Sequence, residues 1–296
     1  MNLKNRLIIK IAQFTRKRNL ERLDRFLRFI YNPDTRKKDF IERVIFINDD
    51  LLFKINTASF LEWSLFFYGG YEFFISKLFE RFVYAGATVV DVGANIGIHS
   101  LKLGKLVGSS GSVYAFEPHP MIFQKLDENI TLNRMFCIKP IPLGLASKSG
   151  EFFLHGFDEN SSNQGTSFLT ESDEGNQENL SNTYTVNVET LDNFIEYNKL
   201  DRLDLIKIDA EGFDLDVLMG SLKSIAQFKP VIIFEYCLKS DAKDKIELFD
   251  QVQQSLLSLR YNFYVIKYNY LVQFNKSELQ GNVRILCLPS TMNSKD

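Results

Sequence analysis

The run Thr88-Val89-Val90-Asp91-Val92 passes directly into Gly93-Ala94-Asn95-Ile96-Gly97, and twenty residues after Gly97 a second apolar run, Ser112 to Phe116, ends on Glu117. A short apolar run without polar alternation reads as a strand buried on both faces. The glycines allow a tight turn, and Ile96 to Val107 reads as a helix packing back on the sheet. The second strand then delivers a carboxylate to the same sheet edge, where it can accept hydrogen bonds from both hydroxyls of a ribose. This restricts the chain to an open parallel α/β sheet with a nucleotide-type ligand at its carboxyl rim.

The ligand is narrowed by what the loop lacks. A pyrophosphate needs Gly-x-Gly-x-x-Gly, so that backbone and helix N-terminus can approach it. Here the loop is Gly93-Ala94-Asn95-Ile96-Gly97, and Asp91 at the strand end would repel a phosphate but attract an ammonium. S-adenosylmethionine carries an ammonium, a ribose and an adenine, and no phosphate. Asp91 is therefore expected at the methionine portion with the backbone of Gly93, Asn95 and Gly97, Glu117 at the ribose, and Gly144 to Ala146, with Leu145 at the centre, at the adenine edge. The plainer alternative is that Asp91 caps a helix and the glycines only shape a turn.

The rest of the chain extends the pattern. Strands are expected near 88–92, 112–117, 136–146, 203–209, 230–236, 261–268 and 282–289, with helices near 96–106, 119–132, 188–199, 214–226 and 241–259. The last two strands can pair antiparallel without a long connecting helix. Asp91, Glu117, Asp209 and Glu235 all fall at strand ends on one rim. Asp209 and Glu211 could act as a proton-accepting pair or hold a metal, although Gly212 signals that a turn has begun, and Asp209 could instead cap a helix starting near Asp214. Glu235 serves equally as an acceptor contact or as a structural carboxylate. His99 and His119 are expected on helix surfaces.

Four blocks, Val90-Asp91-Val92-Gly93-Ala94-Asn95-Ile96-Gly97, Tyr114-Ala115-Phe116-Glu117-Pro118, Ile206-Lys207-Ile208-Asp209-Ala210-Glu211-Gly212 and Ile233-Phe234-Glu235, resemble the FkbM-type methyltransferases and follow that family's order. Weaker likeness occurs at Gly70-Tyr71-Glu72, Gly165-Thr166-Ser167 and Thr190-Leu191-Asp192, so the resemblance spans residues 70 to 240. It implies a Rossmann-like class I methyltransferase fold with a seven-stranded, mostly parallel sheet and an antiparallel last strand. It also implies S-adenosylmethionine as cofactor, with a hydroxyl on a small molecule or glycan as acceptor. Pro118 joins the cofactor side through this resemblance, and Tyr71, Glu72, Thr166 and Ser167 join the acceptor side.

Composition bears on the remaining segments. Residues 1–38 hold 12 Lys and Arg against 3 Asp and Glu, a formal excess of nine positive charges in a chain whose total is −2. Leu3, Leu7, Ile11 and Phe14, then Leu20, Leu23, Leu27 and Ile30, recur at helical spacing and predict one or two amphipathic helices ending before Pro33. Such an arm can pack on its own domain, lie on an anionic membrane or bind RNA; the first is the commoner outcome. A nucleic-acid methyltransferase and a noncatalytic cofactor-binding or membrane-surface scaffold are the rival functions. Nucleic acid is disfavoured because no aromatic-basic RNA-binding module accompanies the arm.

Arg43 to Asn48 and Leu51 to Asn56 predict a hairpin, and Ser59 to Phe82 a helix interrupted at Gly69-Gly70, giving an N-terminal arm, hairpin and cap over 1–82 and a catalytic domain over 83–296. The polar segment 156–182 reads as an insertion, either a lid over the acceptor or a surface loop. Cys137, Cys237 and Cys287 are expected as buried thiols of a cytoplasmic protein, and the first residues as retained. No Cys or His pair has zinc spacing; a divalent metal is left open, with nothing indicating it. Charges break every long apolar stretch, so no transmembrane helix is expected. Oligomeric state is not legible.

Overall fold

The computed structural model describes residues 3–16, 24–32, 41–47, 50–155, 168–170, 183–237, 243–268, 270–276 and 281–292. In chain order the elements are helices α1 (Leu3–Arg16) and α2 (Asp24–Ile30), strands β1 (Glu42–Phe46) and β2 (Leu52–Asn56), and helices α3 (Phe60–Tyr68) and α4 (Phe73–Phe82). Then come β3 (Thr88–Val92), α5 (Ile98–Val107), β4 (Ser112–Phe116), α6 (Pro120–Leu132), β5 (Ile138–Ile141), β6 (Gly144–Leu145), β7 (Gly150–His155), β8 (Phe168–Thr170) and β9 (Thr183–Glu189). The chain continues through α7 (Leu191–Tyr197), β10 (Leu205–Ile208), α8 (Asp214–Met219), α9 (Leu222–Phe228), β11 (Val231–Cys237), α10 (Lys243–Ser258), β12 (Tyr261–Ile266), β13 (Leu271–Gln273) and β14 (Asn282–Pro289).

The principal sheet runs β13-β12-β14-β11-β10-β3-β4-β5. Strands β5, β4, β3, β10 and β11 are parallel, and β14 inserts antiparallel between β11 and β12. This is the Rossmann-like arrangement that the resemblance implies, with β13 added as an eighth strand at one edge. Within this sheet the chain enters at β3, works outward through β4 and β5, and returns to β10 on the other side of β3. Strand order therefore reverses between β3 and β10, which opens a crevice at their carboxyl ends.

β3 and β10 are buried along almost their whole length, as predominantly apolar runs require of central parallel strands, with Asp91 and Lys207 as the two charged exceptions. The N-terminal elements share a hydrophobic core with one face of this sheet: Ile8, Leu27, Phe53, Trp63 and Phe79 join the same cluster as Val89, Leu101 and Val113. The outer edge of β2 is tied down by α6, where Asn129 and Asn133 accept the Lys54 and Leu52 amides at 2.9 and 2.8 Å.

A second sheet, β6-β9-β7-β8, was not expected from the sequence. The strand predicted over 136–146 divides at Pro142, and its second part leaves the principal sheet to pair with β9. Pro140 is tolerated because β5 is an edge strand. The helix expected from 188 begins only at Leu191, where the Thr190 hydroxyl accepts the Asn193 amide at 3.1 Å; the preceding Thr183–Glu189 is strand. The single helix expected over 214–226 is broken at Gly220, where a Cβ would lie 2.1 Å from the Ala146 carbonyl oxygen. The hairpin and the helix break at Gly69-Gly70 fall where the sequence placed them. Apart from Phe168–Thr170, the insertion 156–182 lies outside the described residues.

Candidate functional site

A deep cavity opens at the strand-order reversal, floored by the ends of β3, β4 and β10 and covered by α3 and by Leu154 and Leu169 of the second sheet. Its first wall is the loop after β3. Gly93, Asn95 and Gly97 all take left-handed backbone conformations, with φ of 68°, 51° and 94°. At Gly93 the requirement is steric as well: a Cβ would sit 1.9 Å from the Asp209 carbonyl oxygen. The loop and the end of β10 are thus in backbone contact, reinforced by the Asp209 amide donating to the Val92 carbonyl at 3.1 Å.

Glu117 ties this loop to β4. Its Oε2 accepts the Asn95 amide and its Oε1 the His119 amide, each at 2.9 Å. Burial pushes its pKa up to about 7, and the two amides only partly offset that. Each carboxylate oxygen can accept a second hydrogen bond, and Glu117 lines the cavity. Pro118, Gly144 and Leu145 continue the wall, and Phe116, Ile122 and Leu143 give it an apolar end.

Asp91 stands behind the wall. It is fully buried, accepts the Ser100 hydroxyl on Oδ2 at 2.6 Å, and faces Lys207 Nζ with Oδ1 at 3.2 Å. Lys207 reaches the cavity surface and lies 3.7 Å from Asp209 Oδ2 and 3.3 Å from the Gly93 carbonyl oxygen. Burial alone would lower the lysine pKa, but the charges of Asp91, Asp209 and Glu72 outweigh it and hold the ammonium protonated.

The opposite end of the cavity is rich in carboxylates. Strand β10 stops at Ile208, so Asp209 and Glu211 occupy a turn rather than one face of a strand, and Glu211 is itself left-handed at φ 48°. Asp214 accepts the Gly212 amide at 3.2 Å and so braces that turn. Burial, then the charges of Asp209, Glu235 and Asp214, push Glu211 up to about 7. Glu235 on β11 is also raised, chiefly by burial. Tyr71 lines the cavity from the cap, and burial pushes its hydroxyl up to about 12. Glu72 accepts from His99 Nε2 at 3.0 Å and pairs with Arg284, which also lies 3.9 Å from Glu235. Burial would raise Glu72, but its bond to His99 and the charge of Arg284 bring it below the usual carboxylate range.

The structure therefore gathers Gly93, Asn95, Glu117, Pro118, Leu145, Tyr71, Asp209 and Glu211 around one cavity, with Gly97 shaping its loop. Thr166 and Ser167 lie outside the described residues. His99 and His119, expected on helix surfaces, are buried instead, His99 against the Phe79 ring and His119 as the cap of α6. Arg284 went unremarked in the sequence, although a lone cation between apolar neighbours in Val283-Arg284-Ile285-Leu286 marks a charge drawn to a partner. Among the described residues, no group of three or more His, Cys, Asp or Glu is arranged to hold a metal ion. Cys137 and Cys287 are free thiols.

A sequence model of the methyltransferase FkbM domain matches residues 91–263. The chain is 28% identical over 165 residues to the hexuronic acid methyltransferase AglP of Haloferax volcanii, covering 56% of this chain and 62% of that one. It is 30% identical over 154 residues to the methyltransferase sdnD of Sordaria araneosa, covering 45% and 59%. The matches thus span under two thirds of these relatives. Among solved structures, an FkbM methyltransferase from Methylobacillus flagellatus aligns at a TM-score of 0.42 and 17% identity, over 69% of this chain and 44% of that one.

Proposed function

Because the chain belongs to the FkbM methyltransferase family, whose domain model matches residues 91–263, we propose that it transfers a methyl group from S-adenosylmethionine to a hydroxyl of a glycan or small natural product. The observation that carries this reading is Glu117: a buried carboxylate anchored by the Asn95 and His119 amides, beside a glycine loop unsuited to a pyrophosphate. The remaining acceptor sites of Glu117 suit the two hydroxyls of a ribose. The apolar end at Phe116, Ile122 and Leu143, beside Leu145, suits an adenine. Asp91 acts from behind the wall, holding Lys207 and through it the carbonyl of Gly93.

S-adenosylmethionine supplies an electrophilic methyl group on a sulfonium. The protein's share is alignment of the acceptor, exclusion of water and removal of one proton. Tyr71, Asp209 and Glu211 line the acceptor end, where carboxylates and a hydroxyl can orient a polyol by hydrogen bonds. Glu211, with a pKa of about 7, is matched to accepting a hydroxyl proton near neutrality. Burial first, and the charge of Asp209 next, keep that pKa high, and Asp209 also orients the acceptor. Glu72 and Glu235, each facing Arg284, lie outside the cavity lining and bear on the acceptor end only through their charges. The hexuronic acid in the name of the AglP relative supports a sugar as acceptor.

The test is transfer of labelled methyl from S-adenosylmethionine to a panel of sugars and hydroxylated small molecules. Asp209→Asn should lower transfer at least as much as it weakens cofactor binding. Unchanged turnover in Asp209→Asn would remove this residue from the mechanism.

A further inference from the structure

The two N-terminal helices expose large apolar side chains after their packing needs are met. On α1 one face is committed to the domain: Ile8, Ala12 and Thr15 are buried, and the Thr15 hydroxyl donates to the Phe67 carbonyl of α3 at 2.6 Å. Leu7 is nevertheless 60% exposed, with exposed Lys10 one turn further on. On α2, Leu27 fills the core while Phe26 and Phe29, three residues apart on one face, are 55% and 88% exposed. Both helices rest on α3, since the Trp63 indole nitrogen donates to the Tyr31 carbonyl just beyond α2.

We propose that this face docks on an anionic lipid bilayer. Isolated exposed apolar residues need no explanation, but Leu and Phe displayed on short helices within a strongly basic segment are what an interfacial helix requires. The occupant is indicated by charge. Residues 1–38 carry nine more basic than acidic side chains, whereas the rest of the chain is acidic overall. An anionic surface attracts this end and repels the other, fixing orientation as well as attachment. Apolar side chains that enter the headgroup boundary add a sequence-local anchor that charge alone does not provide. The docked face also connects to the site, because α3 carries Phe60 and Leu61 into the cavity wall. The proposal goes beyond methyl transfer and does not depend on it.

The test is co-sedimentation of the full chain with vesicles of phosphatidylglycerol and phosphatidylcholine against vesicles of phosphatidylcholine alone. The expected result is binding to the anionic vesicles, release by salt, and little binding to the neutral ones. Phe26→Ser with Phe29→Ser should weaken vesicle binding by at least about tenfold. Their exposure predicts an unchanged melting temperature, and Phe29→Ser alone, at the more exposed position, gives a second folded variant with a smaller loss. Absence of binding to anionic vesicles, or binding undiminished in the folded variants, overturns the proposal. So does single-stranded RNA that binds more tightly than the vesicles and is lost with the same substitutions.

Discussion

Replacing Gly93 by alanine tests whether the cofactor loop and the end of β10 form one rigid unit. The added Cβ would sit 1.9 Å from the Asp209 carbonyl oxygen, and reaching even 3.0 Å requires a backbone movement of more than an ångström. Neither side yields easily, because β3 and β10 are paired in register up to Val92 and Ile208, and the Asp209 amide is bonded to the Val92 carbonyl. The left-handed φ of 68° adds about 1–2 kcal/mol for any residue with a Cβ. Steric overlap adds about 1–3 kcal/mol, so the total loss should be about 2–5 kcal/mol. Gly281→Ala is the matched control: its φ is 70°, and nothing lies within 4 Å of the new Cβ. It should show the backbone part alone. Urea denaturation of both variants gives the difference directly. Equal losses would refute the claim that the loop bears on Asp209.

Two further outcomes follow from the buried charges. Glu117 has a folded pKa near 7, above its ordinary value, so the folded state binds the extra proton between about pH 4.5 and 7. Its contribution is therefore fully present below that window and lost as pH rises through it. Glu117→Gln should gain stability relative to the parent protein across this window, on the order of 3 kcal/mol by pH 8; a pH-independent difference in melting temperature would contradict the assignment. Lys207→Met should cost about 3–5 kcal/mol, because it strands the buried charge of Asp91. Adding Asp91→Asn should recover part of that loss in a double-mutant cycle, and strictly additive effects would show that the pair is uncoupled.

The sequence disclosed the half of the molecule governed by periodicity and strand ends. Predominantly apolar runs predict β3, β4, β10 and β11, and residues following such runs emerge on one rim, which is why the sequence places Asp209 and Glu117 where the cavity opens. The second sheet was hidden because β6 and β8 are only two and three residues long, β8 lies within the polar insertion 156–182, and the longer β7 and β9 sit on either side of it. Thr183–Glu189 alternates at the period of a strand but runs straight into a capped helix, which drew the helix boundary too early. The place of Asp91 near the end of β3 was legible, but not its burial behind Lys207 away from the cavity, since depth is set by how β10 packs beside β3 and leaves no local signal. Glu72, His99 and Arg284 come from the cap, α5 and the antiparallel β14, and only the assembled sheet brings them together.

The cavity between β3, β4 and β10 should bind S-adenosylmethionine with Glu117 at its ribose. This is tested most directly by calorimetric titration of S-adenosylmethionine, S-adenosylhomocysteine and NAD into the parent protein and Glu117→Ala. The two sulfur ligands should bind, both should be weakened by about tenfold or more in the variant, and NAD should not bind. Binding of NAD alone, or equal affinity in parent and variant, would contradict it.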